Sequence, residues 1–345
     1  DAAPHADAHF GGRWLLEYSR GRDVTALFYA THLWGEERAA ATLAKLPRIT
    51  ESDLAAEQQG PHVVDRRRAP SHAPAELPPI QSPLRAELQA MLRRRFPTVA
   101  SMKATRAHWA RTGVAALLCL ACWVGWLHLD PLAVLLLPPT QWVLAAHTVH
   151  EATHGALSID PRINYLAQFT AHPILFNVYV WIPQHLLSHH QYTNDPDHDA
   201  DLHHFAPARL ADAVGPYADA AEGAPNRAWT FVWKGCLTTL GTCILQPLRT
   251  LSEKPTPNFD VNITPVPAAV SKRTLAISML PSLFVLVYPL FAAATGVASP
   301  LACLFALIWP WVGMSLIWTA MTQTSHVQAA CQPEGAPGCW TARQI

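Results

Sequence analysis

Four stretches of the chain stay apolar for long enough to cross a bilayer: His108 to Leu129, Leu132 to Thr153, Leu275 to Val297 and Pro300 to Met321. Asp130-Pro131 breaks the first pair with a turn, so the pattern predicts two helical hairpins. Pro281, Pro289 and Pro310 fall within the second pair, where kinks are expected and neighbouring helices can support them. Lys103, Arg106 and Arg111 precede the first hairpin, and Lys272 and Arg273 precede the second. They mark one shared face, cytoplasmic by the positive-inside rule. A fifth apolar run, Phe169 to Ile182, is short for a span. Histidines cluster on both sides of it, and a crossing would separate them across the membrane. The run is therefore expected to be an interfacial or re-entrant segment that keeps the clusters together.

Upstream of the hairpins the periodicity weakens. From Leu46 to Pro83 the chain is proline-rich and polar, with an arginine run from Arg66 to Arg68, and reads as a linker. Ser82 and Pro83 have the character of an N-cap and first helical residue. Leu84, Leu88, Met91 and Leu92 then line one face of a helix ending in Arg93 to Arg95, which suits either a solvated helix or one lying on anionic lipid. The chain so divides into a small N-terminal module (1–46), a linker with an amphipathic helix (47–100) and a membrane domain (101–345).

Composition agrees with a membrane body, since 50% of the residues are hydrophobic and only 14% charged. Lys and Arg number 25 against 25 Asp and Glu, which argues against a nucleic-acid partner. The seven cysteines are odd in number and mostly sit in apolar runs. Cys119 and Cys122 form a CxxC inside one of them and are expected to pack as small hydrophobes.

The candidate chemistry is imidazole. HTVHEATHGALS places His150 and His154 four apart, on one helical face. HLLSHHQYTNDPDHDAD repeats the spacing with His185 and His189, and His190 is turned about 100° around the helix. Such clusters suit iron, zinc or copper. Glu151, Asp195, Asp197, Asp199 and Asp201 are candidates to orient the rings, with Asp199 and Asp201 favoured instead as part of a solvated loop. His147 fits an orienting or interfacial role, and His172, His198, His203 and His204 carry no assignable spacing. His150, Glu151 and His154 also spell HExxH, the helix of zinc proteases, so an intramembrane protease stays open on this cluster alone. Near the N-terminus, His9 and His32 flank Leu15, Leu16, Leu27 and Phe28, an arrangement able to clamp a haem iron from two sides. Asn262-Ile263-Thr264 is a glycosylation sequon expected to stay unmodified on the cytoplasmic side.

Two resemblances follow from these residues. HFGG, GRDVT and Phe28 before His32 resemble the haem-binding half of cytochrome b5, with Phe10 where that family has proline. HEATHGALSIDPRINYL, HLLSHHQYTNDPD and SHVQ resemble the histidine boxes of membrane fatty acid desaturases, and a fused cytochrome b5 segment is typical of the front-end type. The resemblance implies an all-α membrane protein with four transmembrane helices in two hairpins and cytoplasmic histidine boxes, preceded by a partial cytochrome b5-like module. It also implies two non-haem iron ions held by His150, His154, His185, His189, His190 and His326, and haem b held by His9 and His32. A fatty acyl lipid or acyl-CoA would be desaturated with dioxygen, with electrons from cytochrome b5 and its reductase, at the endoplasmic reticulum membrane. A related diiron hydroxylase or a sphingolipid desaturase would carry the same boxes. The family's QxxHH box does not occur between His326 and Ile345, so the sequence reads as a fragment expected to be inactive alone.

Overall fold

The computed structural model describes residues 9, 11–19, 24–46, 79–193, 199, 201, 227–252, 270–323 and 338–343. His326, Asp195, Asp197, His198, His203, His204, the Arg66–Arg68 run and the Asn262 sequon lie outside them. Among the described residues the chain is helical, with no strand. Three short helices, α1 (Arg13–Ser19), α2 (Thr25–Thr31) and α3 (Glu36–Leu43), form the N-terminal segment, and α4 (Pro83–Arg95) follows. The hairpin α5 (Arg106–Leu127) and α6 (Pro131–Thr153) leads through short α7 (Pro161–Ala167) and α8 (Val178–Ile182) to a π-helical turn, Pro183–His189. Next come α9 (Arg227–Leu240), a second π-helical turn (Gly241–Leu245) and α10 (Gln246–Leu251). The second hairpin comprises α11 (Lys272–Ser278), α12 (Leu280–Ala294) and α13 (Pro300–Trp318), and α14 (Trp340–Arg343) comes last.

Local chemistry sets these boundaries. Thr105 caps α5, Asp130 caps α6 and Ser299 caps α13, each accepting a backbone N–H with its side-chain oxygen. Pro131 and Pro300 occupy first-turn positions where no N–H is needed. Pro281 cannot donate into the preceding turn, and the helix is interrupted at Met279, between α11 and α12.

Arg106–Leu127, Pro131–Thr153, Lys272–Ala294 and Pro300–Thr322 are each long and apolar enough to cross a membrane. Their outer faces carry exposed apolar side chains such as Leu117, Leu120, Phe291 and Leu301, as lipid contact requires. Inside, α6 packs against both α5 and α13, and α9 packs on α13. Gly313 permits one close approach: a Cβ there would lie 2.9 Å from Pro138 Cγ on α6. Cys119 and Cys122 are buried free thiols, as their apolar setting predicts.

The fifth apolar run does not form a long helix. It folds in among the others as a 3₁₀ turn (Gln168–Ala171), an irregular stretch and α8, with Ile174, Leu175, Val178 and Ile182 buried. Irregular backbone at this depth must find its hydrogen bonds within the protein. Gln141 on α6 donates from Nε2 to the carbonyls of Thr170 and His172, and its Oε1 accepts from Trp123 Nε1 at 2.8 Å. Thr242 donates to Leu175 O (2.9 Å), Ser282 donates to Pro173 O (2.6 Å), and Asn177 donates to Ser278 Oγ (2.7 Å). These ties anchor the segment to α6, to the second π-helical turn and to the second hairpin.

Gln141→Leu would strand the Trp123 N–H and two buried carbonyls. It should lower stability by about 1–3 kcal/mol, read as a reduced thermal midpoint in detergent. Leu117→Val, on the lipid face, should leave the midpoint nearly unchanged, and equal midpoints for the two variants would contradict the assignment.

Candidate metal centre

The C-terminal end of α6 and the turn Pro183–His189 meet at one end of the bundle. His150 lies in the last turn of α6 and His154 is its C-cap, with ring centroids 4.8 Å apart, as their spacing predicts. The second cluster departs from the α-helical expectation. In an α-helix His185 and His189 would share a face. Here the turn closes through i→i+5 bonds, and His190 N–H donates to His185 O at 3.0 Å. That brings His190 over His185, with ring centroids 4.5 Å apart, and turns His189 aside to 5.8 Å.

One ring nitrogen from each of His150, His154, His185 and His190 lies within 4.8 Å of the others. Nε2 of His185 is 3.2 Å from Nε2 of His154 and 3.1 Å from Nε2 of His190. Neutral imidazoles offer only one lone pair and one N–H each, so these converging ring nitrogens form a donor set able to hold a transition metal. An imidazole set of this kind fits iron. Burial drives the pKa of His185 well below its ordinary value and that of His190 to about 4, with neighbouring histidines adding to the effect. Both rings are therefore neutral near pH 7, the state that binds metal.

Their surroundings fix the rings. His185 stacks on Trp181 at 4.3 Å and 14°, and Trp181 stacks on Phe176 at 4.2 Å and 17°. His189 Nδ1 lies 3.0 Å from both carboxylate oxygens of Asp199 and 3.8 Å from Asp201 Oδ2. Gln184 donates to Asp201 Oδ1 at 2.7 Å, and Asp201 N–H donates to Asp199 Oδ1 at 2.9 Å. Asp199 and Asp201 are buried, so their expected place in a solvated loop is corrected. A carboxylate out of water needs a cationic or donating partner, and His189 provides one. Burial alone would lower the pKa of His189, but Asp201 and the hydrogen bond to Asp199 reverse this and push it up to about 9.

The remaining predicted residues lie elsewhere. His147 points away from the four-histidine group, its Nδ1 2.8 Å from Val143 O and its ring 5.5 Å from that of His108. Glu151 contributes no oxygen to the converging ligand atoms. His172 is half-buried, its ring stacked on Phe169 at 6.1 Å between centroids. His9 and His32 do come together at the N-terminal segment, with ring centroids 6.1 Å apart. Nδ1 of His9 faces Gly12 O and Nδ1 of His32 faces Phe28 O, leaving Nε2 on each ring for another partner. The aromatic support of His185 was not foreseen, although Trp181 sits four residues before it and that spacing was available in the sequence.

Residues 130–345 match the family model for fatty acid desaturases. An acyl-lipid (7-3)-desaturase, chloroplastic, of Chlamydomonas reinhardtii is 28% identical over 205 residues, covering 59% of this chain and 36% of the relative. An acyl-lipid omega-13 desaturase of the same organism is 29% identical over 222 residues, covering 59% and 46% respectively. A dihydrorhizobitoxine desaturase of Bradyrhizobium elkanii is 31% identical over 121 residues, covering 34% and 30%. The chain thus spans less than half the length of these relatives. No solved structure matches it.

The histidine environments predict a pH profile for the metal-free protein. His185 and His190 have lowered folded-state pKa values, so the unfolded chain takes up protons first and stability falls as pH drops from 6.5 towards about 4. His189 has a raised value, so its contribution is complete below 6.5 and is lost as pH rises through about 9. The thermal midpoint should therefore peak near pH 6.5. His189→Gln should remove the alkaline decline, and an unchanged alkaline limb would contradict the Asp199–His189 pairing.

Proposed function

The chain belongs to the fatty acid desaturase family, and from that premise we propose that it introduces a double bond into a fatty acyl chain with dioxygen as the oxidant. The observation that carries this reading is the convergence of His150, His154, His185 and His190 at the end of an apolar helical bundle. An acyl chain is soluble where those helices are soluble, so the substrate and the imidazoles meet at the membrane boundary. Dioxygen and two electrons with two protons convert one CH2–CH2 unit to CH=CH and yield two waters. The two algal relatives are acyl-lipid desaturases, which favours an acyl lipid over acyl-CoA.

His150, His154, His185 and His190 would hold iron, with His189 and His326 as further ligands for a second ion. When bound, iron supplies the redox chemistry with dioxygen that breaking an unactivated methylene C–H bond demands. The chain's own residues do the rest. The Phe176–Trp181 stack sets the plane of His185, and Asp199 sets the rotation of His189. Buried apolar side chains such as Leu186 and Leu187 keep bulk water from the turn that bears the ligands.

His9 and His32 would hold a haem b that receives electrons from cytochrome b5 reductase. Their proximity supports this, since the two rings stand 6.1 Å apart between centroids and each uses Nδ1 on a backbone carbonyl. Haem there would supply one-electron transfer. Lys103, Arg106 and Arg111 support a cytoplasmic active face, and the resemblance to front-end desaturases implies the endoplasmic reticulum membrane.

Expression of the full-length protein in a eukaryotic cell, with acyl chains read by mass spectrometry, tests the reaction. The expected product is an acyl chain lighter by two hydrogens that disappears with His185→Ala. A chain heavier by one oxygen would instead identify a hydroxylase.

A further inference from the structure

The hydrogen bonds that leave the two histidine sites run towards each other. Immediately after His32, the turn from Leu33 to Glu36 is fastened to α4. Arg93 donates twice to Leu33 O (3.2 and 2.8 Å), and Trp34 Nε1 donates to Phe96 O (2.9 Å). Glu36 accepts from Arg85 at 2.7 Å and from Gln81 and Gln89 at 3.2 Å each. Arg85 is buried, and it also donates to Tyr29 O (2.9 Å) with its guanidinium 5.2 Å above the Tyr29 ring. A buried arginine that satisfies several acceptors is a fixed joint, since removing any one partner leaves charge out of water.

The other end of this arrangement reaches the metal-site segment. Trp340, at the start of α14, is 8% exposed and donates twice: from its backbone N to Pro79 O at 3.1 Å, and from Nε1 to Gln191 O at 3.1 Å. Pro79 lies just before α4, α14 packs on α4, and Gln191 follows His190 directly. The contacts therefore form an unbroken path from the residue after His32, through α4 and Trp340, to the residue after His190. These arginines of α4 are spent on protein contacts, which the pattern of a solvated or lipid-bound helix did not foresee.

We propose that α4 and Trp340 form a strut that couples the His9–His32 pair to the four-histidine group, so that the N-terminal segment is docked on the membrane domain as a working partner. Arg85, Glu36 and Trp340 are positioning residues; none touches either set of ring nitrogens. The purpose of the strut, holding an electron-entry site against the site it serves, rests on the function proposed above, but the coupling itself does not.

Coupling between two sites is reciprocal, and hydrogen exchange measures it without any turnover. The experiment compares the full-length protein with Arg85→Gln and with Trp340→Phe, which keeps an aromatic ring and loses the donor to Gln191 O. Arg85→Gln should speed exchange several-fold in 25–43 and also in 185–193, at the far end of the strut. Trp340→Phe should do the same in 185–193 and in 25–43. Leu117→Val, on the lipid face, should do neither. Exchange altered only in the segment touching each substitution would overturn the strut while leaving the desaturase reading intact. An absent lipid product alongside reciprocal exchange would do the opposite.

Discussion

Backbone hydrogen bonding in an apolar surround is the constraint on which the rest of this structure depends. Long helices satisfy most of it themselves, and where Pro139 and Pro310 interrupt the ladders of α6 and α13 the freed carbonyls of Leu135 and Ala306 accept from Trp309 and Trp126 of neighbouring helices. The stretch from Gln168 to His190 is irregular, and it lies buried where water cannot repair an open carbonyl or N–H. It persists because Gln141, Thr242 and Ser282 donate to carbonyls that its own helices leave open, while its Asn177 side chain is tied to Ser278. A polar residue in the middle of a membrane helix is costly unless partnered, and each of these residues faces inwards to a specific group.

What that anchoring achieves is ligand convergence. His150 and His154 come from a helix that crosses the bundle, whereas His185 and His190 come from a turn that returns to the same end. If the intervening segment had spanned the membrane, the two pairs would face different compartments. The π-helical turn refines the outcome. Its wider winding superposes residues five apart, so His190 takes the place an α-helix would have given His189. His189 is released to meet Asp199 and Asp201, which turns two carboxylates that would be unstable in a dry interior into orienting groups for a ring beside the site.

Much of this was legible in the sequence because it is periodic or local. Apolar run length located all four spans, with ends such as Arg106–Leu127 differing from the expected His108 to Leu129 by two residues. The difference lies in the Thr105 cap, a local hydrogen bond that hydropathy does not register. His150 and His154 assembled as i, i+4 spacing requires. The π-helical turn Pro183–His189 has no periodic signature, so no pattern could distinguish His189 from His190. Asp199 approaches His189 across ten residues of aperiodic chain, and the buried use of Arg85 depends on where Glu36 lands, forty-nine residues upstream. Contacts of that kind belong to the tertiary fold.

The account stands on the four imidazoles acting as one metal site. Elemental analysis of the purified full-length protein after loading with ferrous iron tests this most directly, with His185→Ala, His190→Ala and His147→Ala prepared in parallel. The account predicts bound iron in the wild type and in His147→Ala, whose ring lies outside the group, and a clear loss in His185→Ala and His190→Ala. Iron retained in full by both of those variants, or equal loss in His147→Ala, would contradict it.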